Sequence, residues 1–294
     1  MRGQFKNTVM DLATKDDSIV MILGDVSVYL FRDYAERYPN RFYNMGICEN
    51  TLIAVGAGLA ARGLTPFVHT IAPFVTERSY EQIKLDMCYN RLGVNIVSCG
   101  ASFDYAWDGA THHSYTDLGI LRHLPNMEVL QPGSNKEVNE LVRQCYNNGN
   151  PTYFRLSDNP HEIDVPVQFG KGVEVFAKNA SLTVVTAGPI LENVHKAVMD
   201  LDVNLLYFNT ISPIDRELIE KYRNTTFLVI HDATGLWEAV NEIQGLSVYY
   251  HGYFREFMGC YGTVHDIRKE LRLDVPSLRR VVIHFMKFSM VDKR

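Results

Sequence analysis

The chain contains 294 residues, of which 46% are hydrophobic and 21% charged, with 29 basic and 34 acidic side chains and a formal net charge of −5. This balance argues against a nucleic-acid partner, and no apolar stretch has the length of a membrane span or the pattern of a signal peptide. The five cysteines form no CxxC pair and lie mostly in apolar segments, which is typical of reduced core thiols in a cytoplasmic protein.

Apolar strand patterns alternate with amphipathic helix patterns along the first half of the chain. Strands are predicted at 19–23, 41–45, 65–70, 94–99, 127–130 and 152–156. Helices are predicted near 1–14, 50–62, 75–89, 116–124 and 135–147. Such alternation is typical of an α/β domain built on a parallel or mixed sheet.

The stretch 158–171 holds two prolines and no helical periodicity, so we predict an interdomain linker at 159–172. This linker would separate an α/β domain at 1–158 from a smaller α/β domain at 173–294. In the smaller domain we predict strands at 182–186, 205–208, 226–231 and 246–250, and helices near 191–201, 213–222 and 263–271. The segment 281–286 alternates poorly and receives no assignment.

Glu49 stands at the start of an almost wholly apolar helix pattern at 51–61. Burying a lone carboxylate is costly unless something uses its charge or its proton. Glu49 is therefore either an ion-paired structural residue or a group held ready for proton chemistry.

Other predicted strand ends also carry unusual side chains, and α/β proteins place ligands at strand ends. Asp25 directly follows an apolar strand, and Phe74 lies in an apolar-aromatic corner. The loop 100–115 contains Asp108, His112 and His113, which could equally be solvated side chains of a surface turn. Adjacent histidines on an extended chain point in opposite directions, so one at most faces a site. No third ligand has the spacing of a metal site, and we predict no metal site in this chain.

Several motifs, in order along nearly the whole chain, resemble those of transketolases and of the related deoxyxylulose-phosphate synthases and pyruvate dehydrogenase beta subunits. Five segments resemble motifs of the pyrimidine-binding domain of these enzymes. They are MGICEN at 45–50, GLTPF at 63–67, DGATH at 108–112, LPNM at 124–127 and QPGSN at 131–135. The smaller domain is similar to the transketolase C-terminal domain at TISPID, 210–215, and GCYG, 259–262.

The resemblance implies a thiamine diphosphate cofactor and gives the candidate residues roles. Glu49 would hydrogen-bond N1′ of the aminopyrimidine and favour the tautomer that removes the thiazolium C2 proton. Phe74 would stack on the aminopyrimidine, and Asp25 would lie near the thiazolium. His112 would act in catalysis beside Glu49. The residues expected to bind the sugar substrate are Asp108, His112, His113, Arg155 and Arg78.

One family motif has no counterpart in this sequence. The family binds the diphosphate through Mg²⁺, using Gly-Asp-Gly and a later Asn on a separate N-terminal domain, and no Gly-Asp-Gly occurs here. We therefore predict the C-terminal subunit of a split transketolase, active only with a partner chain that carries this motif and binds Mg²⁺. The expected assembly is a heterotetramer with a homodimer of this chain at its core.

The identity of the substrate leaves alternatives open. Positions that bind the sugar phosphate in transketolases fall here on Tyr29, Gly100 or Ala101, and Asp158, none of which supplies a cation. We expect a different donor or acceptor, or phosphate contacts from the partner. The leading prediction is two-carbon ketol transfer from a ketose to an aldehyde. The rivals are condensation of pyruvate with an aldehyde, as in deoxyxylulose-phosphate synthases, an oxo-acid dehydrogenase beta subunit, and a non-catalytic scaffold subunit.

Overall fold

The computed structural model describes residues 1–259 and 261–291, which form two mixed β-sheets flanked by helices. The strands are β1 (Ile19–Leu23), β2 (Phe42–Asn44), β3 (Thr65–Ile71), β4 (Asn95–Cys99), β5 (Glu128–Leu130), β6 (Thr152–Arg155), β7 (Val173–Phe176), β8 (Leu182–Ala187), β9 (Asn204–Phe208), β10 (Thr210–Ser212), β11 (Thr226–His231) and β12 (Ser247–Gly252). The predicted α/β class, with two mixed sheets, is confirmed.

The first sheet has seven strands in the order β10-β5-β6-β4-β3-β1-β2, and only β10 runs antiparallel to its neighbour. β1 pairs with β2 on one side and with β3 on the other, so the chain reverses its direction across the sheet at β1. The parallel strands end at one edge of the sheet. Loops at such an edge, next to such a reversal, are where open α/β sheets bind ligands.

The second sheet has five strands in the order β12-β11-β8-β9-β7, with β7 antiparallel to β9. Residues 159–172, all of which the structure describes, form neither helix nor strand. β10 follows this segment but joins the first sheet, where Thr210 pairs with Leu130. One strand therefore returns across the predicted linker, and the domain boundaries themselves stay a prediction.

The helices cover both faces of the sheets, and three of them were not predicted. They are α1 (Arg2–Ala13), α2 (Arg32–Arg37), α3 (Glu49–Ala61), α4 (Tyr80–Gln82), α5 (Asp117–Arg122), α6 (Asn135–Cys145), α7 (Leu191–Val198), α8 (Arg216–Lys221), α9 (Leu236–Asn241), α10 (Val264–Glu270) and α11 (Val275–Val291). The unpredicted helices are α2, α9 and α11, and α11 includes the unassigned segment 281–286. The predicted helix at 75–89 is divided, because π-helical segments at Phe74–Arg78 and Ile83–Tyr89 flank α4.

Three buried apolar clusters hold the layers together. One contains residues of both sheets, one lies against α7 and α11, and one lies against α1 and α6. Cys88, Cys99 and Cys145 are buried free thiols, whereas Cys260 lies outside the described residues. No helix among the described residues is long and apolar enough to cross a membrane.

Candidate active site

The predicted site residues come from one edge of the first sheet, after the carboxyl ends of its parallel strands. Asp25 follows β1, Glu49 follows β2, Phe74 and Arg78 follow β3, the residues of the 100–115 loop follow β4, and Arg155 ends β6. This common origin brings several of them into contact, although not all.

Glu49 opens α3, and its side chain is only 4% exposed. The helix lies close to the sheet because it carries small residues. A Cβ added at Gly56 would come within 3.0 Å of Val68 Cγ2. Glu49 Oε2 accepts a hydrogen bond from Arg78 Nη1 at 3.3 Å, and Oε1 has no hydrogen-bond partner among the described residues. A buried polar atom without a partner costs roughly 1–3 kcal/mol, so Oε1 is a binding point for a hydrogen-bond donor.

Phe74 contacts both Arg78 and His112. The Arg78 guanidinium carbon is 4.1 Å from the centroid of the Phe74 ring, and the His112 ring meets that ring edge-on at 5.0 Å. Phe74 and Arg78 belong to a π-helical turn, a rare geometry that is frequent at functional sites. Glu49, Arg78, Phe74 and His112 therefore form a continuous contact group, called here the Glu49 cluster.

Arg78 is the exposed member of the Glu49 cluster. Its side chain is 50% exposed. A cation–π contact at such exposure is worth about 1 kcal/mol or less, whereas the bond to Glu49 Oε2 satisfies a buried carboxylate and is worth about 1–3 kcal/mol. A ligand that donates to Glu49 can therefore displace the guanidinium at low net cost, because the ligand's own donor replaces the one that is lost.

The loop after β4 separates its polar residues. His112 joins the Glu49 cluster, with Nδ1 2.9 Å from Thr111 Oγ1, and Asp108 on the same loop is exposed. His113 is buried with its ring edge-on to Phe103 at 5.0 Å, and burial lowers its pKa. One of the two histidines thus faces the cluster. The placement of His113 in the core argues against its predicted contact with substrate.

Asp25 contacts Asn44 at the end of β2. Its backbone N donates to Asn44 Oδ1 and its Oδ1 accepts from Asn44 Nδ2, both at 3.0 Å. The side chain is exposed in an open cavity of about 810 Å³, whose polar lining includes Arg2, Ser27, Tyr29 and Asp158. The sequence offered no motif that points to Arg2 or Ser27, because their proximity to Asp25 arises only from the fold.

Arg155 is fully buried, and its guanidinium is used by protein partners. Nε donates to Asp117 Oδ2 at 2.7 Å, Nη1 donates to Ser102 Oγ at 2.9 Å, and Nη2 donates to the Ser114 carbonyl. Ser102 Oγ in turn donates to Asp232 Oδ1 at 2.7 Å, which links the loop after β4 to the end of β11. This burial argues against the predicted contact of Arg155 with substrate.

The fold and the site define an α/β protein with a ligand site at a strand-end edge. The site combines a buried acceptor with an aromatic ring, which suits a planar polar heterocycle. Residues 1–160 match the transketolase pyrimidine-binding domain.

Two curated relatives and one solved structure extend this match. An uncharacterised 33.6 kDa protein in the fasciation locus of Rhodococcoides fascians is 34% identical over 72% of this chain and 67% of its own length. A chain of the apulose-4-phosphate transketolase of Phocaeicola vulgatus is 31% identical over 78% of this chain and 77% of its own. A split gene transketolase, solved as an inactive beta4 tetramer, superposes with a TM-score of 0.86 and 26% identity, covering 97% and 98% of the two chains. The chain belongs to the transketolase family, and it is a transketolase-like subunit.

Proposed function

We propose that this chain is the pyrimidine-binding subunit of a split, thiamine-diphosphate-dependent transketolase that transfers a two-carbon ketol unit from a ketose to an aldehyde. The observation that carries the proposal is Glu49 Oε1, a buried carboxylate oxygen that has no hydrogen-bond partner among the described residues and belongs to the same contact group as Phe74. The relative from Phocaeicola vulgatus, which is named as a transketolase subunit, supports the same role.

The Glu49 cluster fits the aminopyrimidine end of the cofactor. Glu49 Oε1 would accept a hydrogen bond from a protonated ring nitrogen, and Phe74 would offer an aromatic face once Arg78 moves aside. Bound thiamine diphosphate supplies an electron sink for the carbon–carbon bond that breaks during ketol transfer. His112, in edge contact with Phe74, and Asp108, on the same loop, would bind sugar hydroxyls.

A partner chain completes the proposed enzyme. We propose that this partner binds the diphosphate and Mg²⁺, because the family motif for them, Gly-Asp-Gly, does not occur in this sequence. The similar split gene transketolase forms an inactive beta4 tetramer, which supports both self-association of such a chain and its need for another one. The expected assembly is a heterotetramer around a homodimer of this chain.

The test replaces Glu49 by glutamine in the reconstituted pair, with thiamine diphosphate and Mg²⁺ present. Glutamine keeps the size of the side chain but cannot take up a proton, so we expect ketol transfer to fall about a hundredfold or more. Glu217→Gln is the matched control, since Glu217 also lies in the first turn of a helix but is 86% exposed. Analytical ultracentrifugation verifies that both variants still assemble.

Two other results would redirect the proposal. Turnover that is unchanged in Glu49→Gln would support the non-catalytic scaffold. Release of CO₂ when pyruvate is the donor would support the condensation reaction of deoxyxylulose-phosphate synthases.

A further inference from the structure

The loop after β1 borders the open cavity of about 810 Å³, called here the β1 cavity, whose polar side chains are those of Arg2, Asp25, Ser27, Tyr29 and Asp158. Asp25 and Ser27 have left-handed backbone conformations, with φ of 58° and 60°. Such conformations are costly for residues other than glycine and are concentrated at ligand sites. The surrounding structure therefore holds the backbone of this loop in a defined conformation.

His69 determines how Ser27 can bind a ligand. His69 Nδ1 lies 2.6 Å from the Val97 carbonyl, which only accepts, so Nδ1 carries the hydrogen. Burial lowers the pKa of His69 to about 4, so at neutral pH the ring is uncharged and Nε2 is an acceptor. Nε2 lies 2.9 Å from Ser27 Oγ, so the hydroxyl hydrogen points to His69. Ser27 can then offer a ligand only lone pairs, and it selects a ligand that donates a hydrogen bond.

The charges of the β1 cavity favour the same kind of ligand. Arg2 Nε and Nη2 donate to the two carboxylate oxygens of Asp158 at 3.2 and 3.1 Å, so its charge is neutralised. Asp25 adds a second carboxylate. A phosphate would meet an arginine that is already paired, together with two carboxylates.

We propose that the β1 cavity binds the hydroxyl-bearing end of an uncharged sugar and selects against a phosphate group, with Ser27 and Asp158 determining this specificity. Sugar hydroxyls donate to Ser27 Oγ and to the Asp25 carboxylate, whereas a phosphate dianion has no hydrogen to donate. The inference rests on the proposed function, because it assigns the substrate class of that enzyme.

The first test compares D-ribose with D-ribose 5-phosphate as acceptors for the reconstituted pair, since these sugars differ only in the phosphate. We expect wild type to have the higher kcat/KM for D-ribose. Asp158→Ser frees the Arg2 guanidinium for a charge-assisted bond and raises kcat/KM for D-ribose 5-phosphate about tenfold or more. Asp164→Ser is the control, because Asp164 also pairs with a cation, Lys136, but lies outside the cavity.

The second test removes the Ser27 hydroxyl. Ser27→Ala lowers kcat/KM for D-ribose about tenfold, as expected for a lost hydrogen bond, and leaves that for D-ribose 5-phosphate unchanged. Ser27→Gly controls for the backbone, since glycine adopts a positive φ without strain. If kcat/KM for D-ribose falls equally in both variants, the effect is due to the missing hydroxyl. If it falls in Ser27→Ala alone, the role assigned to the hydroxyl is contradicted.

A binding measurement separates this inference from the proposed function. Inorganic phosphate is titrated into the full chain and thermal unfolding is followed, which requires no turnover. We expect stabilisation of Asp158→Ser and none of wild type. If the pair transfers ketol units but prefers D-ribose 5-phosphate, and Asp158→Ser leaves that preference unchanged, the specificity is overturned and the function stands. If the pair uses no acceptor at all, the proposed function fails. If inorganic phosphate stabilises wild type and Asp158→Ser equally, the cavity assignment is overturned as well.

Discussion

Replacing Arg155 by methionine tests whether this buried arginine serves the fold or the substrate. The guanidinium lies 2.7 Å from Asp117 Oδ2, both side chains are at most 1% exposed, and Asp117 Oδ1 has no hydrogen-bond partner among the described residues. Removing the arginine leaves the Asp117 carboxylate buried with the Tyr153 hydroxyl as its remaining donor, at 2.6 Å. Breaking a buried pair in this way costs about 3–5 kcal/mol, a large part of the stability of a typical domain.

The measurement is urea unfolding of the full chain. Arg279→Met is the matched control. Arg279 also forms a two-bond pair, with Asp200, but at 40% and 61% exposure, so its loss is expected to cost about 1 kcal/mol or less. The double variant Arg155→Met with Asp117→Leu removes both charges and should recover most of the lost stability. A single variant with unchanged unfolding free energy but reduced transfer activity would refute this reasoning and restore the substrate role of Arg155.

Three further predictions concern other sites. Burial raises the pKa of Asp104 to about 6, so the folded state holds this proton more tightly than the unfolded state and stability falls as pH rises from about 4 to about 6. Relative to wild type, Asp104→Asn should therefore gain up to about 3 kcal/mol over this interval in urea unfolding, and a constant difference would contradict this assignment. Arg78→Met should lower the unfolding free energy by about 1–3 kcal/mol, because it leaves the buried Glu49 carboxylate without the Arg78 donor, and an unchanged value would mean that Arg78 does not stabilise that carboxylate. Leu278→Ala, in α11, should cost about 2–5 kcal/mol because Leu278 is fully buried; a loss below 1 kcal/mol would show that α11 is not part of the core.

The sequence was informative where local periodicity carries the structure. The apolar run of β1 and the start of α3 at Glu49 were predictable, because their patterns repeat within a few residues. β10 was missed because it has three residues and is held by pairing with the distant β5. α9 was also missed, although α5 and α8, which have the same six-residue length, were predicted.

In the candidate site too, residues that lie in local sequence motifs were predictable, whereas contacts between distant residues were not. Glu49 and Phe74 lie in motifs of consecutive residues, and both belong to one contact group. Contacts between distant residues have no such signature. Ser27 and His69 are 42 positions apart, and their pairing depends on the register of β1 with β3, in which Leu23 lies beside His69. Arg155 sits at a strand end like a candidate ligand, and only its burial shows that Asp117 is its partner.

Glu49 connects the stability of this chain to ligand binding. Among the described residues Oε1 has no hydrogen-bond partner, which destabilises the free chain by roughly 1–3 kcal/mol, whereas the contact of the exposed Arg78 with Phe74 is worth about 1 kcal/mol or less. A ligand nitrogen that donates to Oε1 removes this penalty, and stacking on Phe74 displaces only the weaker contact between Arg78 and that ring. Because such a ligand binds the folded state and not the unfolded state, it stabilises the fold by mass action. The same carboxylate that makes the free chain less stable thereby supplies free energy for holding the heterocycle in place.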